Sequence, residues 1–253
     1  MNIFTSLRKE WIELTRTSRL VILLVVLGFF GLSSPLLAKY TPELMKMIPG
    51  AEAIASIIPA PTVVDAVGQY VKNISQFAIL LALLLSMGLV SQEKERGTAA
   101  LLLAKPLPRA SFLAAKFITL GLGFVAAFVV AALGGYYYTL VLFEPLKVGP
   151  WLVLNSALLM QVLVYIAITL LFSTLLRSQA AAAGLSLGVI LVFSLLESIP
   201  TFAPYVPNRL VVWAANAILG GPPVNVWPSF LVCLVLILGS LLAAWLIFER
   251  QEL

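Results

Sequence analysis

What most limits this chain is a set of six apolar stretches, residues 20–38, 74–91, 112–140, 151–176, 180–198 and 227–248. Each is close to, or longer than, the ~20 residues a helix needs to cross ~30 Å of hydrocarbon. Charges and prolines collect between them. The chain as a whole is 61% hydrophobic and only 11% charged, against roughly 25% charged in an average soluble domain. Its mean hydropathy is +1.06. A sequence with so little polar surface belongs in a bilayer, and the expected fold is an all-α integral membrane protein, a single domain over residues 1–253 with six transmembrane helices.

Charge sets the expected orientation. Lys94, Arg96, Lys105, Arg109 and Lys116 crowd the polar interruption between the second and third spans, and the bias of Lys and Arg toward cytoplasmic loops places that interruption inside the cell. With both termini also inside, only Lys39, Lys46, Lys72, Lys147 and Arg209 of the 16 basic residues fall outside, and the inverted orientation would reverse the ratio. The formal net charge of +5 therefore reads as topology, since the basic residues sit at helix ends and not on a folded face, and no nucleic-acid partner is expected.

The interruption itself, Gln92 to Lys116, is more than a tether. Thr98 can cap a short helix, Ala99 to Ala104, which Lys105-Pro106 then stops. Glu93-Lys94-Glu95-Arg96-Gly97-Thr98, then Leu101-Leu102-Leu103, then Lys105-Pro106-Leu107-Pro108-Arg109 resemble the loop between the second and third spans of ABC-2 type transporter permeases. The resemblance implies a cytoplasmic coupling helix seated on a separate cytosolic ATPase, with two six-span subunits and two ATPase copies. It assigns docking to the loop 92–111, with Gln92, Glu93, Glu95, Arg96, Gly97, Thr98, Leu101, Leu102, Lys105, Pro106 and Arg109 as its residues. It further implies an exporter in a prokaryotic cytoplasmic membrane, with no cofactor of its own and ATP and Mg bound by the partner; with one chain in hand, the expected pair is a homodimer. A similarity to the membrane part of the nitrous-oxide-reductase maturation transporter suggests an alternative, a mechanical transmitter acting on an extracytoplasmic protein. A stand-alone ion-coupled carrier is a third reading, which lacks the paired intramembrane acids or broken helix pair that coupling commonly uses.

Before the first span, Ile3, Leu7, Trp11 and Leu14 recur at helical spacing with Phe4 beside them, while Arg8, Lys9, Glu13 and Arg16 face elsewhere. The pattern predicts an amphipathic helix over residues 1–19 lying in the membrane surface, and it resembles the elbow helix of the same family. A cleaved signal peptide fits less well, because the polar segment is long and no small-residue cleavage site follows. Residues 39–73 form an expected external segment divided by Pro42, Pro49, Pro59 and Pro61, with Thr62 and Asp65 as a capping box that starts the second span outside the bilayer. In residues 199–226, Asn208 can cap a short helix, Arg209 to Leu219, ended by Gly220; it is too short to span and is expected to be re-entrant or interfacial.

Within the spans, Gln161, Tyr165, Thr169 and Ser173 fall four apart and make one polar stripe. Hydrogen bonding between helices is the expected use of the stripe, and lining a substrate path the alternative. Ala180, Gly184 and Gly188 repeat small side chains that permit close helix contact. Glu197 reads as a solvated rim acid. The absence of any His excludes His-based zinc, haem and Ser-His designs, and the one cysteine, Cys233, excludes an intrachain disulfide. No phosphate-loop sequence occurs, so ATP hydrolysis by that route has to come from another chain.

Overall fold

A computed structural model describes residues 3–48, 59–95, 97, 108–222 and 224–251, and among them it is helical with no strand. An amphipathic helix, α1 (Ile3–Arg16), leads into α2 (Arg19–Lys46) and α3 (Val63–Ser86). A short helix, α4 (Ser91–Glu95), follows, then α5 (Arg109–Leu142), α6 (Val148–Leu175) and α7 (Gln179–Glu197). A 3-10 turn at Ala203–Tyr205, α8 (Asn208–Leu219) and α9 (Trp227–Glu249) complete the chain. Six of these elements are long and apolar enough to cross a membrane, α3 and α4 counting as one.

Helix α6 is the hub. Two-thirds (67%) of its most apolar stretch is buried within the chain, against 11% for α7. It packs on α3, α5, α7, α8 and α9, and its Asn155, Gln161 and Ser173 find hydrogen-bond partners on other parts of the chain. Tyr70 on α3 donates to Asn155 Oδ1 at 2.6 Å, and Asn155 Nδ2 donates to the Trp151 carbonyl at 2.9 Å. Such bonds satisfy groups that hydrocarbon cannot. The outer surface is the reverse of a soluble protein's: Val25 and Phe29 on α2, Leu195 on α7 and Val235 on α9 are each more than 60% exposed. An apolar belt of this extent needs lipid or protein to cover it.

Helices α2 and α5 make the most extensive contact, and a glycine permits it. A Cβ added at Gly31 would stand 2.6 Å from both the Cα and the carbonyl oxygen of Ala131, closer than any side chain tolerates.

Three local expectations change. Helix α2 does not stop near residue 38; it runs through Pro42 to Lys46. Proline removes one intrahelical bond, but Thr41 Oγ1 bonds back to the Leu37 carbonyl beside the gap, and the flanking turns are bonded normally. Asn208 does not cap α8: Pro207 holds that position, Asn208 is already helical, and its amide is used elsewhere. Helix α1 turns a partly polar face inward, with Ser6, Glu10 and Leu14 buried, while Phe4 (77%) and Trp11 (41%) are exposed. The capping box at the start of α3 forms as expected, with Asp65 Oδ2 accepting from the Thr62 N–H and hydroxyl at 2.8 Å each. Gly220 ends α8 in the left-handed region at φ 68°, which a residue without Cβ adopts freely.

Candidate functional site

The segment between α3 and α5 meets the N-terminal helix on one side and the C-terminal end of α9 on the other. Its first part is held by α6. Ser173 Oγ accepts from the backbone N–H groups of Val90 and Ser91, at 3.0 and 3.1 Å, as the turn after α3 passes into α4. The lower end of the polar stripe therefore anchors this segment. Thr169 is buried in the helix packing at 1% exposure, whereas Gln161 and Tyr165 line a cavity at the other end of the bundle.

A buried charge cluster joins α4 to α1 and α5. Lys116, 2% exposed on α5, donates to Glu93 Oε1 at 2.8 Å and lies 3.3 Å from both carboxylate oxygens of Glu10. Lys9 reaches Glu10 at 3.1 Å, Glu93 at 3.4 Å and Glu13 at 3.8 Å, and Arg19 reaches Glu13 at 3.6 Å. Burial works against the charge on Lys9, but Glu10, Glu93 and Glu13 outweigh it and hold the ammonium above the usual lysine range. Glu10, Glu13 and Glu93 are close enough to suggest a cation site. The two lysine ammonium groups already lie against these carboxylates, so the arrangement is an ion-pair lock between three helices.

The other side is a cap. Arg109, the first residue of α5, donates through one guanidinium nitrogen to the carbonyls of Phe248, Glu249 and Gln251, the latter two at 3.0 Å. These are the carbonyls a helix C-terminus leaves unsatisfied, and a cation there also suits the helix dipole. Lys94 on α4 donates to the Thr174 carbonyl and to Gln251 Oε1, while Gln251 Nε2 donates to the same Thr174 carbonyl at 3.2 Å. Phe248 is fully buried beneath both cations, its ring 5.6 Å from Arg109 and 5.7 Å from Lys94, and it stacks on Phe112. Arg109→Ala should cost roughly 1.5–3 kcal/mol, the range for hydrogen bonds to a charged group. Denaturant unfolding in detergent checks it; a midpoint equal to wild type would show that the carbonyls are satisfied without the guanidinium.

Of the residues expected to dock a partner, Glu93 and Arg109 are thus engaged within the chain. Gln92 is half-buried, and Glu95 and Gly97 are exposed. Gly97 follows α4 with φ 66°, and its N–H donates to the Lys94 carbonyl at 3.1 Å. Arg96, Thr98, Leu101, Leu102, Lys105 and Pro106, with the coupling helix 99–104, lie outside the described residues. Sequence reasoning missed the lock because its members are 23 and 106 residues apart. The available signal was Lys116, a lone cation inside the third apolar run.

An all-helical bundle with six membrane-length helices and an apolar exterior defines a multi-pass membrane protein. The chain belongs to the ABC-2 family transporter proteins, whose family model matches residues 4–253. It is a transmembrane component of the ABC transporter class, a membrane transport subunit of a family that works with a partner ATPase. It is also similar to the uncharacterized transmembrane protein YxlG of Bacillus subtilis (strain 168), at 26% identity over 97% of this chain and 96% of that one.

Proposed function

We propose that this chain is the permease subunit of an ABC exporter, driven by a separate cytosolic ATPase that binds ATP and Mg and docks on the segment from Gln92 to Arg109. Both termini then face the cytosol, and two copies of the chain pair with two ATPases. The observation that supports this reading is how the segment is anchored. Its start is fixed to α6 by Ser173 and to α1 and α5 by the Lys116 lock, and its end is fixed to α9 by Arg109. A displacement applied between those anchors is delivered to the N-terminal helix and three spans at once. In this reading Glu95 stands at the docking edge, and Glu93 and Arg109 hold the segment in position.

Glu95 is the discriminating residue, because it is exposed while Glu93 is part of the lock. Glu95→Lys should lower both co-purification of the ATPase and permease-stimulated ATP hydrolysis several-fold, at an unchanged unfolding midpoint. Wild-type values for both would reject docking at this edge. An extracytoplasmic protein that co-purifies, with no substrate accumulating in sealed vesicles, would replace export by mechanical transmission.

A further inference from the structure

At the end of the bundle away from the charge lock, α3, α6, α7 and the start of α8 line an open cavity of about 280 Å³. That is at the lower edge of small-ligand sites, the size of a headgroup and not of a drug-sized molecule. Its polar groups form an ordered chain. Asn208 Nδ2 donates to Glu197 Oε1, which turns Asn208 Oδ1 toward Gln161, and Gln161 Nε2 donates to it at 3.4 Å. The orientation of the Gln161 amide follows, and its Oε1 is left as an acceptor with no hydrogen-bond partner among the described residues, on a side chain only 3% exposed. An unpaired acceptor at that depth is costly unless a donor arrives.

Two charges of opposite sign stand exposed on the same lining, Lys72 from α3 and Glu197 from α7, and no ion pair joins them among the described residues. Ile79, Ile190 and Phe193 supply an apolar wall beside them. We infer that this cavity binds a small zwitterion bearing a primary ammonium and an acid group, with the ammonium held by Glu197 and Gln161 Oε1 and the acid by Lys72. The apolar wall suits an amphiphile, so a phosphoethanolamine lipid headgroup and a free small zwitterion share the required chemistry. Binding here is a property of the chain alone and does not depend on the docking reading.

The test uses the purified full-length protein in detergent and counts retained lipid by native mass spectrometry, comparing phosphatidylethanolamine, phosphatidylcholine and phosphatidylglycerol of equal chain length. Choline keeps the positive charge but lacks an N–H donor, and glycerol lacks the charge. Wild type should prefer phosphatidylethanolamine on the order of tenfold over both, as loss of a charge-assisted bond predicts. Glu197→Gln keeps an acceptor for Asn208 and should abolish the preference; Gln161→Leu should erase the discrimination against choline. Equal retention of the three lipids by wild type, or an unchanged preference in Glu197→Gln, would overturn the proposal. Because Glu197 is exposed, that variant remains informative even where Gln161→Leu fails to fold. Titration with soluble phosphoethanolamine separates the sources: saturable binding lost in Glu197→Gln supports a free zwitterion, and lipid retention without it supports the headgroup.

Discussion

Lys116→Met is expected to destabilise the protein by about 3–5 kcal/mol, the range for removing one partner of a buried ion pair. Lys116 is 2% exposed, and its loss removes an ammonium from the 7%-exposed Glu10 and the 15%-exposed Glu93, which Lys9 also reaches. Methionine fills a similar volume, so packing loss is small and the effect isolates charge. The double variant Glu10→Gln with Lys116→Met removes one carboxylate as well and should recover part of the loss; its departure from the sum of the two single changes, Glu10→Gln and Lys116→Met, measures the coupling. Unfolding by denaturant in detergent reads both. A single variant as stable as wild type would mean that the carboxylates are solvated and the lock is a surface feature.

The second large effect is expected at Gly31→Ala. One methyl group placed 2.6 Å from the backbone of Ala131 has no flexible side chain to push aside, so α2 and α5 must separate. Overpacking of that kind costs typically 1–3 kcal/mol, and the contact with main-chain atoms puts it at the upper end. Replacing glycine by alanine in a helix returns ~1 kcal/mol. The net loss is therefore about 2 kcal/mol. Gly68→Ala is the control, since a Cβ there meets nothing within 4 Å and only the helix-forming gain applies. Equal unfolding midpoints for the two variants would remove Gly31 from the close contact.

The spans were legible because hydrocarbon thickness dictates their length, and the termini of α5, α6, α7 and α9 fall within about three residues of where apolar character alone puts them. Proline was the weaker guide. Pro42 lies inside α2, where its neighbours keep the helix bonded, although proline so often ends helices in water. The capping box at Thr62 was readable because it is local, needing only a hydroxyl and a carboxylate three residues apart. Glu10, Glu93 and Lys116 meet only once three helices have packed, and no local pattern encodes that. The stripe on α6 was visible as a stripe, but its division was not: Ser173 caps a turn while Gln161 lines a cavity, a difference set by which helix lies opposite each residue. The small-residue repeat on α7 shows the same limit, since a Cβ added at Gly184 or Gly188 would meet nothing within 4 Å among the described residues.

The central position of α6 bears on how the protein is made. A chain threaded into the bilayer in order of synthesis delivers α6 after only three earlier spans, yet α8 and α9, which cover much of it, emerge later. Until then Gln161 lacks Asn208, and the buried flank of the hub is turned to lipid or to whatever insertion machinery stands beside it. Helix α9 therefore acts as a closing stave on α6, and a nascent product that stalls before Trp227 should be retained by its insertase or degraded.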